Sequence, residues 1–189
     1  MGEAERIYYT EEEYLAFVEE QETKYEFVDG YILAMTGGSP NHSQIAMNAG
    51  VALSMALRNK DCIVFNSDLK LKAAQSYFFP DCMVICGKPA LDERSKNVVT
   101  NPTLIVEVLS ETTESYDRGQ KFMHYRQLPF LQGYLLIAQD RIHIDAFHKS
   151  DEGWALTDAI SLDTAIHIPS LAIQLATSDI YNRVNFEES

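Results

Sequence analysis

At 189 residues the chain has the length of one domain spanning residues 1–189. Its 46% hydrophobic and 11% aromatic content, with only 9 Gly and 6 Pro, excludes a disordered, collagenous or low-complexity polymer. Fifteen Lys and Arg against 28 Asp and Glu leave a net charge of −13, which excludes indiscriminate tight binding to polyanions.

The first element is a helix. Thr10-Glu11-Glu12-Glu13 has the form of a capping box, and Tyr14, Leu15, Phe17 and Val18 continue as a helical stripe to about Glu20. Tyr25–Val28 and Tyr31–Met35 flank Asp29-Gly30, the signal of a two-residue β-hairpin. After a small polar loop, Thr36–Pro40, a second helix runs Asn41–Leu57 with Ile45, Ala46, Ala49, Leu53, Ala56 and Leu57 on its apolar side. Strands are expected over Ile63–Leu71 and Phe79–Cys86, the latter opening at Pro80, where a missing N–H is tolerated. Thr103–Leu109 is a nearly continuous β-branched and apolar run, the pattern of a central strand covered on both faces. A helix over Ser115–Leu128 ends before Pro129, strands follow at Tyr134–Ile137, Ile142–Phe147 and Leu171–Leu175, and a short helix closes at Ser178–Val184. This order indicates an α/β domain with a mixed sheet flanked by helices.

No apolar run reaches the ~18 residues of a membrane span and Met1–Tyr9 has no leader core, so a soluble, cytoplasmic protein is expected. Cys82 and Cys86 on one strand would lie ~13 Å apart, too far for a disulfide, and no Cys/His spacing suggests zinc. Cys62, Cys82 and Cys86 therefore read as buried free thiols. Charge is uneven along the chain. Residues 1–57 carry 2 basic and 10 acidic groups and residues 127–189 carry 3 and 9, whereas residues 58–126 hold 10 basic and 9 acidic. Most cationic charge thus sits in the middle third, as an ordinary solvated surface or a local phosphate-facing patch.

Glu107 is the informative position, because a carboxylate inside a buried strand costs several kcal/mol unless paired, hydrogen-bonded or metal-bound. Asp81 begins a second strand on the face shared with Met83 and Ile85, and two carboxylates from adjacent strands, completed by water, suit Mg²⁺. The helix after the Glu107 strand places Asp117, Lys121 and Tyr125 on one face. Lys121 could then neutralise Glu107 or orient a metal-bound water. A buried Glu107–Lys121 pair without metal satisfies the same desolvation argument, and that alternative stays open here.

Phe79-Pro80-Asp81, then Ile105-Val106-Glu107-Val108-Leu109-Ser110, then Asp117-Arg118-Gly119-Gln120-Lys121 resembles the PD-(D/E)XK nuclease superfamily. More narrowly, it resembles a family of small bacterial restriction-endonuclease-like proteins of uncharacterised function, with Tyr14-Leu15, Tyr25-Glu26, Asp29-Gly30, Met35, His42 and Tyr134 also on its pattern. The resemblance implies a restriction-endonuclease-like core with an N-terminal helix-hairpin addition and Mg²⁺-dependent phosphodiester cleavage, Mn²⁺ substituting. By position it makes Asp81 and Glu107 metal ligands with the Val108 carbonyl as third, and Lys121 the catalytic lysine, since Leu109 stands where the superfamily usually places one. Glu26 and His42 fit the pattern as supporting residues, with a hairpin salt bridge and a helix-start hydrogen bond as their structural alternatives. The family's glutamate before Tyr134 is here Gly133. The expected function is a Mg²⁺-dependent endonuclease acting on DNA rather than RNA, binding weakly and salt-sensitively as a homodimer. The competing expectation is a catalytically impaired nuclease fold serving as a binding or assembly module.

Overall fold

The computed structural model describes residues 8–35 and 37–186. Thr36 of the polar loop and residues 1–7 of the segment read for a leader lie outside the described residues. No helix among the described residues is long and apolar enough to cross a membrane.

Fourteen strands are described: β1 Tyr25–Val28, β2 Tyr31–Ala34, β3 Cys62–Asn66, β4 Lys70–Ala73, β5 Ser76–Phe78, β6 Cys82–Cys86, β7 Leu91–Asp92, β8 Ser95–Val99, β9 Leu104–Leu109, β10 Gly133–Ala138, β11 Ile144–Ser150, β12 Gly153–Ala159, β13 Ala165–Ile168 and β14 Ile173–Ala176. The helices are α1 Glu11–Glu19, α2 Pro40–Leu57, α3 Glu114–Tyr116, α4 Phe122–Tyr125 and α5 Thr177–Ile180. They form a mixed α/β fold with two six-stranded mixed sheets, ordered β2-β1-β5-β4-β8-β7 and β12-β11-β10-β9-β6-β3, and a small β13-β14 ribbon.

Local chemistry explains the first elements. Thr10 caps α1 with its hydroxyl on the Glu13 N–H, while Glu13 returns its carboxylate to the Thr10 N–H at 2.7 Å. Asp29 (φ 51°) and Gly30 (φ 90°) both take the left-handed conformation that a tight hairpin turn requires between β1 and β2. Ser39 caps α2 and Pro40 opens it, where a missing N–H costs nothing.

β9 is buried along its whole length and lies between β10, parallel, and β6, antiparallel. A strand covered on both faces cannot alternate polar and apolar residues, hence its Val/Ile/Leu run. Its Leu104, Val106 and Val108 face α2, packing with Ile45, Ala49 and Leu53. Ile105 and Leu109 face the other way, packing with Met83, Tyr125 and Tyr134.

Several expectations change. Ile63–Leu71 is two strands, because the Asn66 side chain donates to the Asp68 carboxylate and accepts the Asp68 N–H, turning the chain from one sheet to the other. Phe79–Cys86 is a strand only from Cys82. Phe79-Pro80-Asp81 is the step that carries the chain from β5 in one sheet to β6 in the other. β5, β7, β8, β12 and β13 are additional to the strands read from sequence. The free-thiol reading is also overturned: Cys62 and Cys86 are opposite one another in the antiparallel β3–β6 pair and form a disulfide, leaving Cys82 as the free, buried cysteine. Cys82 and Cys86 share a strand and stand too far apart to pair, whereas Cys62 meets Cys86 from the neighbouring strand.

Candidate active site

The step from β5 to β6 places Asp81 beside the far end of β9. Asp81 Oδ2 accepts a hydrogen bond from the Val108 N–H at 2.7 Å, and the Asp81 N–H reaches Glu107 Oε2 at 3.4 Å. Each carboxylate is therefore held by the other strand's backbone. On the α2 side, His42 Nε2 lies 3.3 Å from Asp81 Oδ2. Burial opposes charge on this imidazole, but Asp81, the Val108 carbonyl and Asp117 outweigh it and hold the His42 pKa above the usual value.

On the opposite face of the sheet the segment after β9 supplies the cation. Ser115–Leu128 is not one regular helix: α3 and α4 are joined by a π-helical turn, Asp117–Lys121. Such turns alter which residues share a face and are frequent at functional sites. This one buries Asp117 and Lys121 together while turning Arg118 outward to Glu114 and Asp145. Lys121 Nζ, on a residue only 6% exposed, meets Glu107 Oε1 at 3.0 Å, Glu26 Oε1 at 3.2 Å and Asp117 Oδ1 at 3.4 Å. Glu26 comes from β1 and also accepts the Phe79 N–H at 3.3 Å, tying the hairpin to the step that carries Asp81. Tyr125 donates its hydroxyl to Glu107 Oε1 at 2.8 Å, and Tyr134 donates to the Asp117 carbonyl at 3.1 Å.

Three buried carboxylates thus share one ammonium, with Asp81 a fourth nearby. Burial, partly opposed by Lys121 and reinforced by Asp81, Asp117 and Glu26, pushes the Glu107 carboxyl up to about 8. Burial likewise raises Asp117 against the opposing pull of Lys121. Lys121 itself, despite burial, is held well above the usual lysine value by Glu107, Glu26 and Asp117. The acid excess and all-oxygen donor set of Asp81, Glu107 and the Val108 carbonyl suit a hard divalent cation. Among the described residues no group of three or more His, Cys, Asp or Glu side chains forms a cation cage. A bound ion would therefore draw on Asp81, Glu107, backbone and water.

The structure brings Asp81, Glu107, Lys121, Glu26, His42, Asp117 and Tyr125 to one cleft of about 970 Å³ or directly behind it. Gly133 does not join them. It pairs with Leu104 on the α2-facing side of β10, where an added Cβ would come within 2.7 Å of Leu104 Cδ1. Position 133 thus lies on the face of the sheet away from Lys121. Sequence reasoning missed the cleft's hydroxyl-rich wall of Ser110, Thr112, Thr113 and Tyr116, and its apolar wall on α2. The Tyr116 hydroxyl is shielded and has no hydrogen-bond partner among the described residues. Met47 and Val51, exposed and four residues apart on α2, are the signal that could have revealed the apolar wall.

The Uma2 family model, described as "Putative restriction endonuclease", matches residues 11–178. Two uncharacterised proteins of Synechocystis sp., slr1290 and sll1609, are similar along most of their length. The first is 40% identical over 178 residues, covering 93% of this chain and 92% of the relative. The second is 37% identical over 167 residues, covering 87% and 94%. A crystal structure of a putative nuclease belonging to DUF820, from Anabaena variabilis, superposes with a TM-score of 0.77 at 18% identity, covering 93% of this chain and 99% of that one. At that identity the likeness establishes a shared fold.

Proposed function

Because this chain belongs to the Uma2 family of restriction-endonuclease-like proteins, we propose that it is a Mg²⁺-dependent endonuclease hydrolysing DNA phosphodiester bonds at the cleft of Asp81, Glu107 and Lys121. The observation that carries the reading is the meeting of Lys121 Nζ with Glu107 Oε1 at 3.0 Å, next to the Asp81–Glu107 link. A helix-borne lysine thereby takes the place of the one absent at Leu109. Asp81, Glu107 and the Val108 carbonyl would hold the ion, which when bound lowers the pKa of its water and neutralises phosphate charge.

The protein's own groups do the positioning. Tyr125 fixes Glu107 through Oε1, so that Oε2 faces Asp81. The Val108 N–H fixes Asp81. Lys121 keeps its proton at Nζ and sets a stationary positive charge beside Glu107, where it screens a phosphate oxygen. Glu26 and Asp117 are positioning residues that aim that ammonium. His42 supports Asp81 from the α2 side. The reading extends to a homodimer with one cleft per subunit, supported by exposed Leu156 on β12, at the far edge of the sheet from β3.

The test is nicking of supercoiled plasmid with Mg²⁺ or Mn²⁺, paired with calorimetric Mn²⁺ titration. Cleavage lost in Lys121→Ala and metal binding lost in Asp81→Asn are expected; a purified protein that binds no divalent ion and cuts nothing overturns the proposal. One observation favours the binding-module alternative: His42 already engages Asp81 Oδ2 and the Val108 carbonyl, atoms assigned to the ion. Intact DNA binding without metal uptake or cleavage would select it.

A further inference from the structure

The two walls of the cleft differ in chemistry. On one side Met47 (66% exposed) and Val51 (50%) stand one turn apart on α2, and Leu33 (41%) joins them from β2. The opposite wall carries the hydroxyl side chains Ser110, Thr112 and Thr113.

Permanent cations are scarce between the walls. Among the described residues lining the cleft these are Lys24 and Lys121. Lys24 is committed to Asp68 at 2.6 Å and to the Ser67 carbonyl at 2.9 Å, and Lys121 to its three carboxylates. Against them stand Glu26, Asp81, Glu107 and Asp117. A duplex carries one phosphate charge per ~1.7 Å of axis, encloses its base faces, and is held chiefly by cations. This cleft offers a duplex neither the cations nor a use for its apolar wall. An unpaired strand carries one charge per ~3.4 Å, half the density of the duplex, and its bases have open faces that pack on apolar and polarisable side chains such as methionine.

Resting on the nuclease reading above, we propose that the cleft takes single-stranded or locally unpaired nucleic acid. The phosphate would lie at the ion that Asp81 and Glu107 would hold, with the adjoining bases resting against Met47, Val51 and Leu33. The charge balance of the cleft and the continuity of the apolar wall with the carboxylates together select this occupant over a duplex.

The test measures binding of a short fluorescent DNA strand, alone and as a blunt duplex, by fluorescence anisotropy with Ca²⁺ in place of Mg²⁺. The single strand is expected to bind at least ~tenfold tighter, or ~1.4 kcal/mol. The near-isosteric double variant Met47→Gln/Val51→Thr is expected to erase that preference while leaving the melting temperature and calorimetric Mn²⁺ binding unchanged. Equal or tighter duplex binding overturns the inference, as does an undiminished preference in the double variant. So does sedimentation of a dimer that the double variant splits, which would seat a second copy of the chain on this wall. If Mn²⁺ binding and plasmid nicking persist without strand preference, this inference falls alone; if they also fail, the nuclease reading falls with it.

Discussion

Replacing Glu107 by Gln tests whether the site holds uncompensated acid. Glu107 is 3% exposed, and its carboxyl is pushed up to about 8 by burial, opposed by Lys121 and reinforced by Asp81, Asp117 and Glu26. A carboxyl whose folded pKa exceeds its unfolded value binds more protons when folded. Its stabilising contribution is complete below the unfolded value of 4.5 and is lost as pH rises through about 8. At ~1.4 kcal/mol per tenfold change in proton affinity the upper limit is roughly 5 kcal/mol. Because Asp117 shares Lys121 and takes up part of the proton exchange, about 2–3 kcal/mol is expected to reach a measurement. Glutamine keeps one oxygen for Tyr125 and Lys121 and gives up the 3.4 Å bond from the Asp81 N–H, a loss of about 1 kcal/mol. Lys121 retains Glu26 and Asp117 as partners. In EDTA, Glu107→Gln should therefore melt roughly 2–8 °C above the wild type near pH 8 and no higher than it near pH 5. Thermal unfolding followed by circular dichroism across that range reads the crossing. Saturating Mn²⁺ should raise the wild type, by about 2.7 kcal/mol at a hundredfold excess over Kd, and leave the variant unmoved. A variant that melts lower than wild type at every pH, with a parallel pH profile, would show Glu107 to be an ionised, fully satisfied partner of Lys121. The excess-acid argument would then be refuted.

Three further outcomes are expected. Lys121→Met, which keeps the volume and removes the charge, should abolish cleavage and cost about 3–5 kcal/mol near neutral pH, because it strands Glu26, Glu107 and Asp117 in a buried cluster. Thermal melts should show part of that loss recovered on acidification, as Glu107 and Asp117 protonate. Tyr125→Phe deletes the 2.8 Å bond to Glu107 and should cost about 1–3 kcal/mol while lowering cleavage more than substrate binding, measured as kcat against KM. Asp81→Asn should remove metal uptake and let the His42 pKa fall, read from its imidazole resonances in an NMR titration; an unmoved His42 would contradict the contact at 3.3 Å.

Much of the framework was legible because its signals are local. The Thr10–Glu13 box and the Asp29-Gly30 turn are set by neighbouring backbone and side-chain hydrogen bonds, and both form as read. The Val/Ile/Leu run around Glu107 announces a strand covered on both faces, and β9 is one. That Glu107 needs compensation follows from desolvation alone, and it is found buried with Lys121 and Tyr125 as partners.

What it could not reach depends on register and on breaks between elements. Ser67-Asp68 and Phe79-Pro80-Asp81 looked like parts of strands, yet each carries the chain between sheets. The Cys62–Cys86 bond exists because β3 and β6 pair in one register, a relation no spacing along the chain encodes. The number of carboxylates around Lys121 was likewise decided by folding. Glu26 lies far earlier in the chain, and a π-helical turn swings Asp117 and Lys121 inward together. Sequence determines which groups must find partners, because burial sets that cost residue by residue. Only packing decides which partners they find, because three-dimensional distance sets electrostatic coupling.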